Sequence, residues 1–359
     1  DFGFTDPTDA ASVAGANALL NVKITTLPLV GTLKNDNVVV NAGDFVSVAD
    51  IIANKLVFTP AANANGAGYA SFTFQVQDNG GVLNSGVDLD GTARTMTVNV
   101  TSVNDAPVGT NNTVTTLEDT AYTFTAADFG FTDAADAPAN ALAAVRITTL
   151  PVAGALTASG VNVSAGQFVS AADINAGNLV FTPVANANGA AYASFTFQVQ
   201  DDGGTANGGV DLDTTPRTMM LNVTAVNDAP IAGGSATLPA TLEDTLSPPG
   251  ASVAALFSGN FSDAADAANP AHSQLAGVAV RGQSVSAAQG RWQYSTDGGA
   301  SWSNFGVISD ANAMSLGVND RLRFLPGTNF NGTPTTLSVR LIDNSAAVTG
   351  GNTVNVSSH

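Results

Sequence analysis

The chain repeats itself. Val22–Pro107 aligns with Val145–Pro230 at a constant offset of 123 positions, without a gap and with more than half the positions identical. KITTLP answers RITTLP, NANGAGYASFTFQVQD answers NANGAAYASFTFQVQD, and LVFTP, GVDLD and VNDAP recur unchanged. A third, divergent copy follows. TLEDT at Thr116–Thr120 returns at Thr241–Thr245, and FTDAAD at Phe131–Asp136 becomes FSDAAD at Phe261–Asp266. LVFTP becomes LRFLP at Leu322–Pro326, and FQVQDDG becomes VRLIDNS at Val339–Ser345, the last apparent strand of that copy. A period of about 120 residues is the length of a domain, too long for a solenoid unit. Three tandem domains are therefore expected: 1–105, truncated at its start, then 106–228, then a divergent 229–359. The VNDAP segments Val103–Pro107 and Val226–Pro230 mark the boundaries, where proline ends a strand and stiffens a short linker. The opening DFGFTD returns at Asp128–Asp133, so the chain is expected to be a piece of something longer.

Within a repeat the periodicity is that of β-structure. Ser71–Gln77 alternates strictly, placing Phe72, Phe74 and Val76 on one face, and Thr95–Val100 does the same through Met96, Val98 and Val100. Leu56–Phe58 runs into Pro60, Val38–Val40 precedes a glycine turn at Gly43, and turn-rich clusters at Asn63–Gly68 and Asp78–Gly86 separate the strands. One helical turn is expected at Ser47–Ile52 and again at Ser170–Ile174, each with serine as N-cap. No stretch of fifteen residues carries helical periodicity. About seven short strands per repeat predict an all-β protein of antiparallel, Ig-like β-sandwiches in an elongated array.

Composition narrows the chemistry. Eleven basic against 29 acidic residues leave a net charge of −18, a field that repels phosphate backbones and argues against nucleic acid. There is no cysteine, hence no disulfide, thiolate metal site or cysteine nucleophile, and the only histidines are His272 and His359. No apolar run approaches the roughly 18 residues of a membrane helix, so no membrane insertion is expected. Of the acidic residues 27 are Asp. Asp favours turns and caps, so the charge falls on loops, where carboxylates suit hard cations. The two glutamates, Glu118 and Glu243, occupy the same position of the LEDT motif in two repeats.

The order VNDAP, strand, LEDT, then a (T/S)DxxD loop resembles the cadherin-like repeats of large bacterial surface adhesins. Phe168–Gly204, FVSAADINAGNLVFTP…ASFTFQVQDDGG, also resembles the repeat of chondroitin-sulfate-proteoglycan-type proteins. The resemblance spans the chain and is looser in the third copy. It implies an extracellular or cell-surface location, calcium at the interdomain junctions, and a spacer or adhesive role without enzymatic activity. Neighbouring repeats are the implied partners, with self-association or a matrix glycan or protein beyond them. Carried over residue by residue, the first junction would draw on Asn104, Asp105, Asp133, Asp136 and Asp201. The second would draw on Glu118, Asp119, Asn227, Asp228, Asp263, Asp266 and Asp343. Ser102-Val103 and Ala225-Val226 stand where the family's linker is richer in acids, which lowers the ion count expected per junction.

Three other features bear on function. The pairs Asp88/Asp90 and Asp211/Asp213 of GVDLD put two carboxylates on one side of a strand, where they could share an ion or pair with Arg94 and Arg217. STDGGASW at Ser295–Trp302 fits the Asp-box hairpin of sialidases, a folding element that a propeller repeats several times and this chain carries once. Two readings stand beside the calcium-stiffened array: a self-assembling filament or sheath subunit in which the repeats pack together, and a carbohydrate-binding tip on the third repeat with Trp302. Lysine–asparagine crosslinks are excluded from the second and third repeats, since Lys23, Lys34 and Lys55 all lie in the first.

Overall fold

In a computed structural model, residues 1–7, 9, 16–267 and 271–358 are described; His359 lies outside them. The second repeat shows the architecture in full. One sheet orders its strands Phe168–Ser170, Leu142–Ile147, Gly189–Asp201, Arg217–Thr224 and Asn112–Leu117. The facing sheet orders Val161–Asn162, Ala155–Ala158, Leu179–Thr182 and Tyr122–Thr123. All neighbours are antiparallel except Asn112–Leu117, which runs parallel to Arg217–Thr224 over six residue pairs.

The alternation read from the sequence drives this packing. Phe195, Phe197 and Val199 point inward from the long strand and are buried, as are Met219, Leu221 and Val223 beside them. Phe129 lies edge-on against Phe197 at 4.9 Å, and Phe124 against Phe195 at 5.6 Å, the aromatic geometry favoured by ring quadrupoles. The first repeat is built alike, with a four-stranded sheet, a three-stranded sheet, and a core around Val22, Ile24, Phe72 and Phe74. The expected helical turns form at Val48–Ile52 and Ala171–Asn175. Ser47 Oγ accepts the Asp50 N–H at 3.0 Å, and Ser170 Oγ accepts the Asp173 N–H at 3.0 Å.

The third repeat departs from this plan on one edge. Leu337–Asp343 corresponds to Gly189–Asp201 and pairs with Leu275–Gln283, as its counterpart pairs with Leu142–Ile147. On its other side no strand stands among the described residues. The last strand, Thr353–Val354, joins the opposite edge of the sheet by pairing with Ala313–Gly317.

Candidate metal-binding junctions

Each linker threads its Asn-Asp pair between acidic loops. At the second junction the Asp228 N–H donates to Asp266 Oδ2 at 2.7 Å, and Asn227 Nδ2 reaches Asp343 Oδ2 at 3.3 Å. The Val226 N–H donates to Glu118 Oε1 at 2.6 Å. Asp119 stands close enough to load the Asp228 carboxylate with repulsion. Asp263 is loaded in turn by the charges of Asp266, Asp343 and Asp228, so all seven residues named for this junction fall in one neighbourhood. At the first junction they form two hydrogen-bonded groups. Asn104 Nδ2 donates to Asp201 Oδ1 at 3.0 Å, while the Asp105 N–H donates to Asp136 Oδ2 at 2.9 Å. Asp133 joins the first group through Asn140, whose N–H donates to Asp133 Oδ2 at 2.6 Å and whose side-chain amide donates to Asn104 Oδ1. Asn104 lies where a Cβ on residue 203 would stand, so Gly203 is needed for this approach.

Burial without satisfaction is the unusual property of these clusters. Asp133, Asp201, Asp263, Asp266 and Asp343 are all buried. Asp133 Oδ1, Asp201 Oδ2, Asp228 Oδ2, Asp266 Oδ1 and both oxygens of Asp263 lack a hydrogen-bond partner. Asp263 receives only a weak pull from the Asp266 backbone N–H. No cation side chain approaches either cluster among the ion pairs described, which lie elsewhere. Uncompensated buried carboxylates are costly, and burial with like charge shifts their titration upward. Burial, then Asp119, Asp266 and Glu118, raises Asp228 above the usual carboxylate range. Burial, then Asp266, Asp343 and Asp228, does the same to Asp263. Asp201 is raised by burial and by Asp133 and Asp211, against the opposing Gly203 N–H and Asn104.

The partnerless oxygens of Asp133, Asp201, Asp228, Asp263 and Asp266 fit a hard cation, being anionic carboxylate donors with lone pairs directed at no hydrogen-bond donor. Among the described residues no three acidic or histidine side chains yet stand as a closed ligand set. One oxygen of Asp133, Asp136 and Asp266 is turned onto a backbone N–H.

The raised carboxyls set a pH signature. A carboxyl whose folded pKa exceeds its unfolded value of about 4 favours folding when protonated, and that contribution is lost as pH rises through the folded pKa. Asp201, Asp228 and Asp263 are therefore expected to raise the melting midpoint of the metal-free chain as pH falls from 7 toward about 5. Below about 4 the depressed groups Asp213 and Asp297 lose their contribution and the trend reverses. With calcium present, acidification from pH 7 is expected to lower the midpoint throughout, because protons compete for the ligand oxygens. Melting curves at stepped pH, with and without calcium, test the opposed slopes.

The sequence reading missed a clasp at the LEDT motif. Asn188 Nδ2 donates to Glu118 Oε2 at 2.9 Å, and the Asn186 N–H donates to Asp119 Oδ1 at 3.0 Å. The third repeat copies it: the Asn329 N–H donates to Asp244 Oδ1 at 2.8 Å, and Asn331 Nδ2 reaches Glu243 Oε2 at 3.5 Å. The repeated N-x-N-G block was the available signal. The long arm of Glu118 thus serves first to tie its strand to the Asn188 loop and to the linker, with both oxygens engaged.

The GVDLD carboxylates follow the ion-pair alternative. Asp213 Oδ2 accepts Arg217 Nε at 2.9 Å and the Gly109 N–H at 2.9 Å, and Oδ1 accepts the Thr215 N–H at 3.0 Å. Burial pushes its pKa up, but Arg217 and the two backbone donors outweigh burial and hold it below the usual value. Asp211 and Asp88 instead accept the side-chain amides of Gln200 and Gln77. In each pair one carboxylate thus meets the arginine and the other a glutamine amide.

The Asp-box hairpin is closed on itself. Asp297 accepts from Ser295 Oγ at 2.6 Å and from Ser301 Oγ and N, which hold it well below the usual carboxylate range. Trp302 donates its Nε1–H to Gly299 O at 3.0 Å, and the Arg323 guanidinium covers its ring at 4.1 Å. Trp292 and Tyr294 pack in the core against Phe324 and Phe305. Trp302→Ala is expected to cost roughly 2–4 kcal/mol through lost packing and the cation–π contact, measured by chemical denaturation.

Paired sheets, a serine-capped turn and acidic loops at each linker define a tandem Ig-like β-sandwich protein. Residues 103–215 match the family model of the cadherin-like domain, so this part of the chain is similar to a cadherin-like domain. Neither the curated proteins nor the solved structures give a significant match. Among the described residues no helix is long and apolar enough to cross a membrane.

Proposed function

We propose that the chain is a non-enzymatic, extracellular structural and adhesive repeat region of a large bacterial surface protein, stiffened by calcium at its junctions. Its domains would run 1–105, 106–228 and 229–359. The observation that carries this reading is the set of buried carboxylate oxygens without partners, gathered where the linkers meet the acidic loops. Calcium would neutralise the repulsion around Asp228 and Asp263 and draw oxygens from both sides of a linker onto one centre. Asp133, Asp136, Asp201, Asn104 and Asp105 would serve the first junction in the same way. A cation shared between domains restricts their relative motion, which suits a spacer that must hold a binding element away from a surface. The carbohydrate-tip reading has less support, because the candidate platform Trp302 is capped by Arg323.

Metal analysis of the chain dialysed against calcium tests the proposal. At least one equivalent of calcium retained, and its loss to a chelator with a matching change in the small-angle scattering profile, is the expected outcome. No retained calcium, or a profile indifferent to its removal, would overturn it.

A further inference from the structure

The third repeat contains the strand that its open edge lacks, seated elsewhere. In the first two repeats Arg94–Val100 and Arg217–Thr224 flank the long strand over six residue pairs each. Thr353–Ser358 reads TVNVSS, identical at five of six positions to TVNVTS at Thr97–Ser102, and its Asn-Val recurs at Asn222-Val223. It is the third repeat's version of that strand. Yet Thr353–Val354 pairs with Ala313 and Met314 at the far edge of the sheet, over two residue pairs. There Val354 and Val356 pack on the outer face of the sheet with Ala279 and Ala313, and the Val356 N–H donates to Asp310 O at 2.7 Å. The strands in the place of Ala313–Gly317 in the first two repeats, Phe45–Ser47 and Phe168–Ser170, end their sheets with no further neighbour among the described residues.

The place beside Leu337–Asp343 still has the shape of such a strand. It is a cavity of about 780 Å³, faced by Leu337, Val339 and Leu341 on one side and Leu238 and Leu242 on the other, with Phe324 among its lining residues. Phe195, Phe197 and Val199, the counterparts of the first three, are fully buried, whereas the three themselves are only half-buried. The backbone of Leu337–Asp343 has no ladder on the cavity side among the described residues. The asparagine of the strand is also idle. Asn99 Oδ1 accepts the Gly68 N–H at 2.6 Å and Asn222 Oδ1 the Ala191 N–H at 2.8 Å, each across to the neighbouring strand. Asn355 Oδ1 accepts from the N–H and Oγ of Ser357, within its own turn. Direction and reach allow the move. Three antiparallel pairings separate Thr353–Val354 from Leu337–Asp343, so the two already run in opposite directions. The nine residues 344–352 extend to about 30 Å, against about 15 Å for the three strand spacings to the far edge and about 5 Å for the one to the cavity.

We propose that residues 353–358 are a strand with two seats in the third repeat, the far edge and the cavity beside Leu337–Asp343, and that the cavity is the favoured one. In the cavity the strand turns Val354 and Val356 from the outer face toward the core and pairs antiparallel with Leu337–Asp343. The sheet then has the strand order of the first repeat, and the strand Ala313–Gly317 becomes a bare edge like Phe45–Ser47. A longer ladder and filled apolar space favour this seat over two residue pairs at the edge. The strand thereby acts as a gate: at the edge it leaves the cavity open, and in the cavity it closes the repeat.

The chain has no cysteine, so an engineered pair can lock one seat without side reactions. Met314 and Thr353 stand directly opposite each other in the edge seat. In the full chain carrying Met314→Cys and Thr353→Cys, the pair is expected to oxidise and hold the strand at the edge. The cavity-facing amides of Leu337–Asp343 should then exchange about tenfold or more faster in the oxidised chain than in the same chain reduced. The unsubstituted chain should exchange like the reduced one. Equal exchange in the oxidised and reduced chains would overturn the proposal, because the strand would then have a single seat. A pair that stays reduced in a chain that still melts cooperatively would remove the edge seat and overturn it as well. Equal acceleration across Leu275–Gln283 would show the disulfide loosening the whole repeat and would count against the gate. Protection of Leu337–Asp343 that grows with chain concentration would make a second copy the occupant, and the proposal would fall.

Discussion

Calcium added to the metal-free chain is expected to raise its melting midpoint by about 10 °C at a hundredfold excess over the dissociation constant. Binding only to the folded state stabilises by about 2.7 kcal/mol per site at that excess, and a domain of this length shifts by several degrees per kcal/mol. The second junction should respond most, because Asp228, Asp263, Asp266 and Asp343 stand close in like charge there and several of their oxygens lack partners. Asp263→Asn separates the effect from ordinary damage. Neither Asp263 oxygen has a well-formed hydrogen bond to lose, so removing its charge should leave the metal-free chain as stable or more stable. The same change should remove most of the calcium response. Calorimetry of both variants with and without calcium decides the matter. A midpoint indifferent to calcium, or a metal-free Asp263→Asn chain that melts far below its parent, would contradict the repulsion argument.

The second large effect concerns the buried ion pair. Arg217→Ala is expected to cost about 3–5 kcal/mol, because it strands the Asp213 carboxylate, whose side chain is only 2% exposed. The same substitution in the first repeat, Arg94→Ala, is expected to cost under about 1 kcal/mol. There the partners Arg94 and Asp90 are 64% and 25% exposed, and water can solvate what is left. The second-repeat pair has two contacts that the first lacks, one of them a second arginine bond, Arg217 Nη2 to Asp213 Oδ1 at 3.2 Å. In the second repeat the entry segment lays the Gly109 N–H onto Asp213 Oδ2 and shields the pair. Denaturant titration of the two variants gives the contrast directly, and equal costs would show that burial is not what separates them.

The features legible in the sequence are those set by neighbours along the chain. Ser47 and Ser170 cap their turns through an N–H three residues on, a bond that local sequence can announce. The alternation of Phe195, Phe197 and Val199 fixes which side of the strand is core without reference to the rest of the fold. The junction acids could be named because the motif order carries them, although their division into two hydrogen-bonded groups at the first linker could not. The missed features bridge distant positions. Asn188 meets Glu118 across 70 residues, and Asn112 pairs with Met219 in a parallel register that alternation alone does not reveal. The open edge of the third repeat was hidden for a related reason. VRLIDNS reads as a strand like its counterparts, and nothing within it records that no strand pairs with its outer side among the described residues.

The parallel pairing of Asn112–Leu117 with Arg217–Thr224 has a mechanical consequence. The chain enters the second repeat along the first of these strands and leaves along the second, both running the same way. A pull applied through the two linkers drags the strands past each other along their length. The hydrogen bonds joining the six residue pairs are then loaded together in shear, whereas a hairpin would be peeled open one bond at a time. Glu118, bonded to the Val226 N–H, ties the end of the pair to the departing chain. Under tension the second repeat would hold until the whole pair slips at once. The third, where no strand pairs with the outer side of Leu337–Asp343 among the described residues, would yield first.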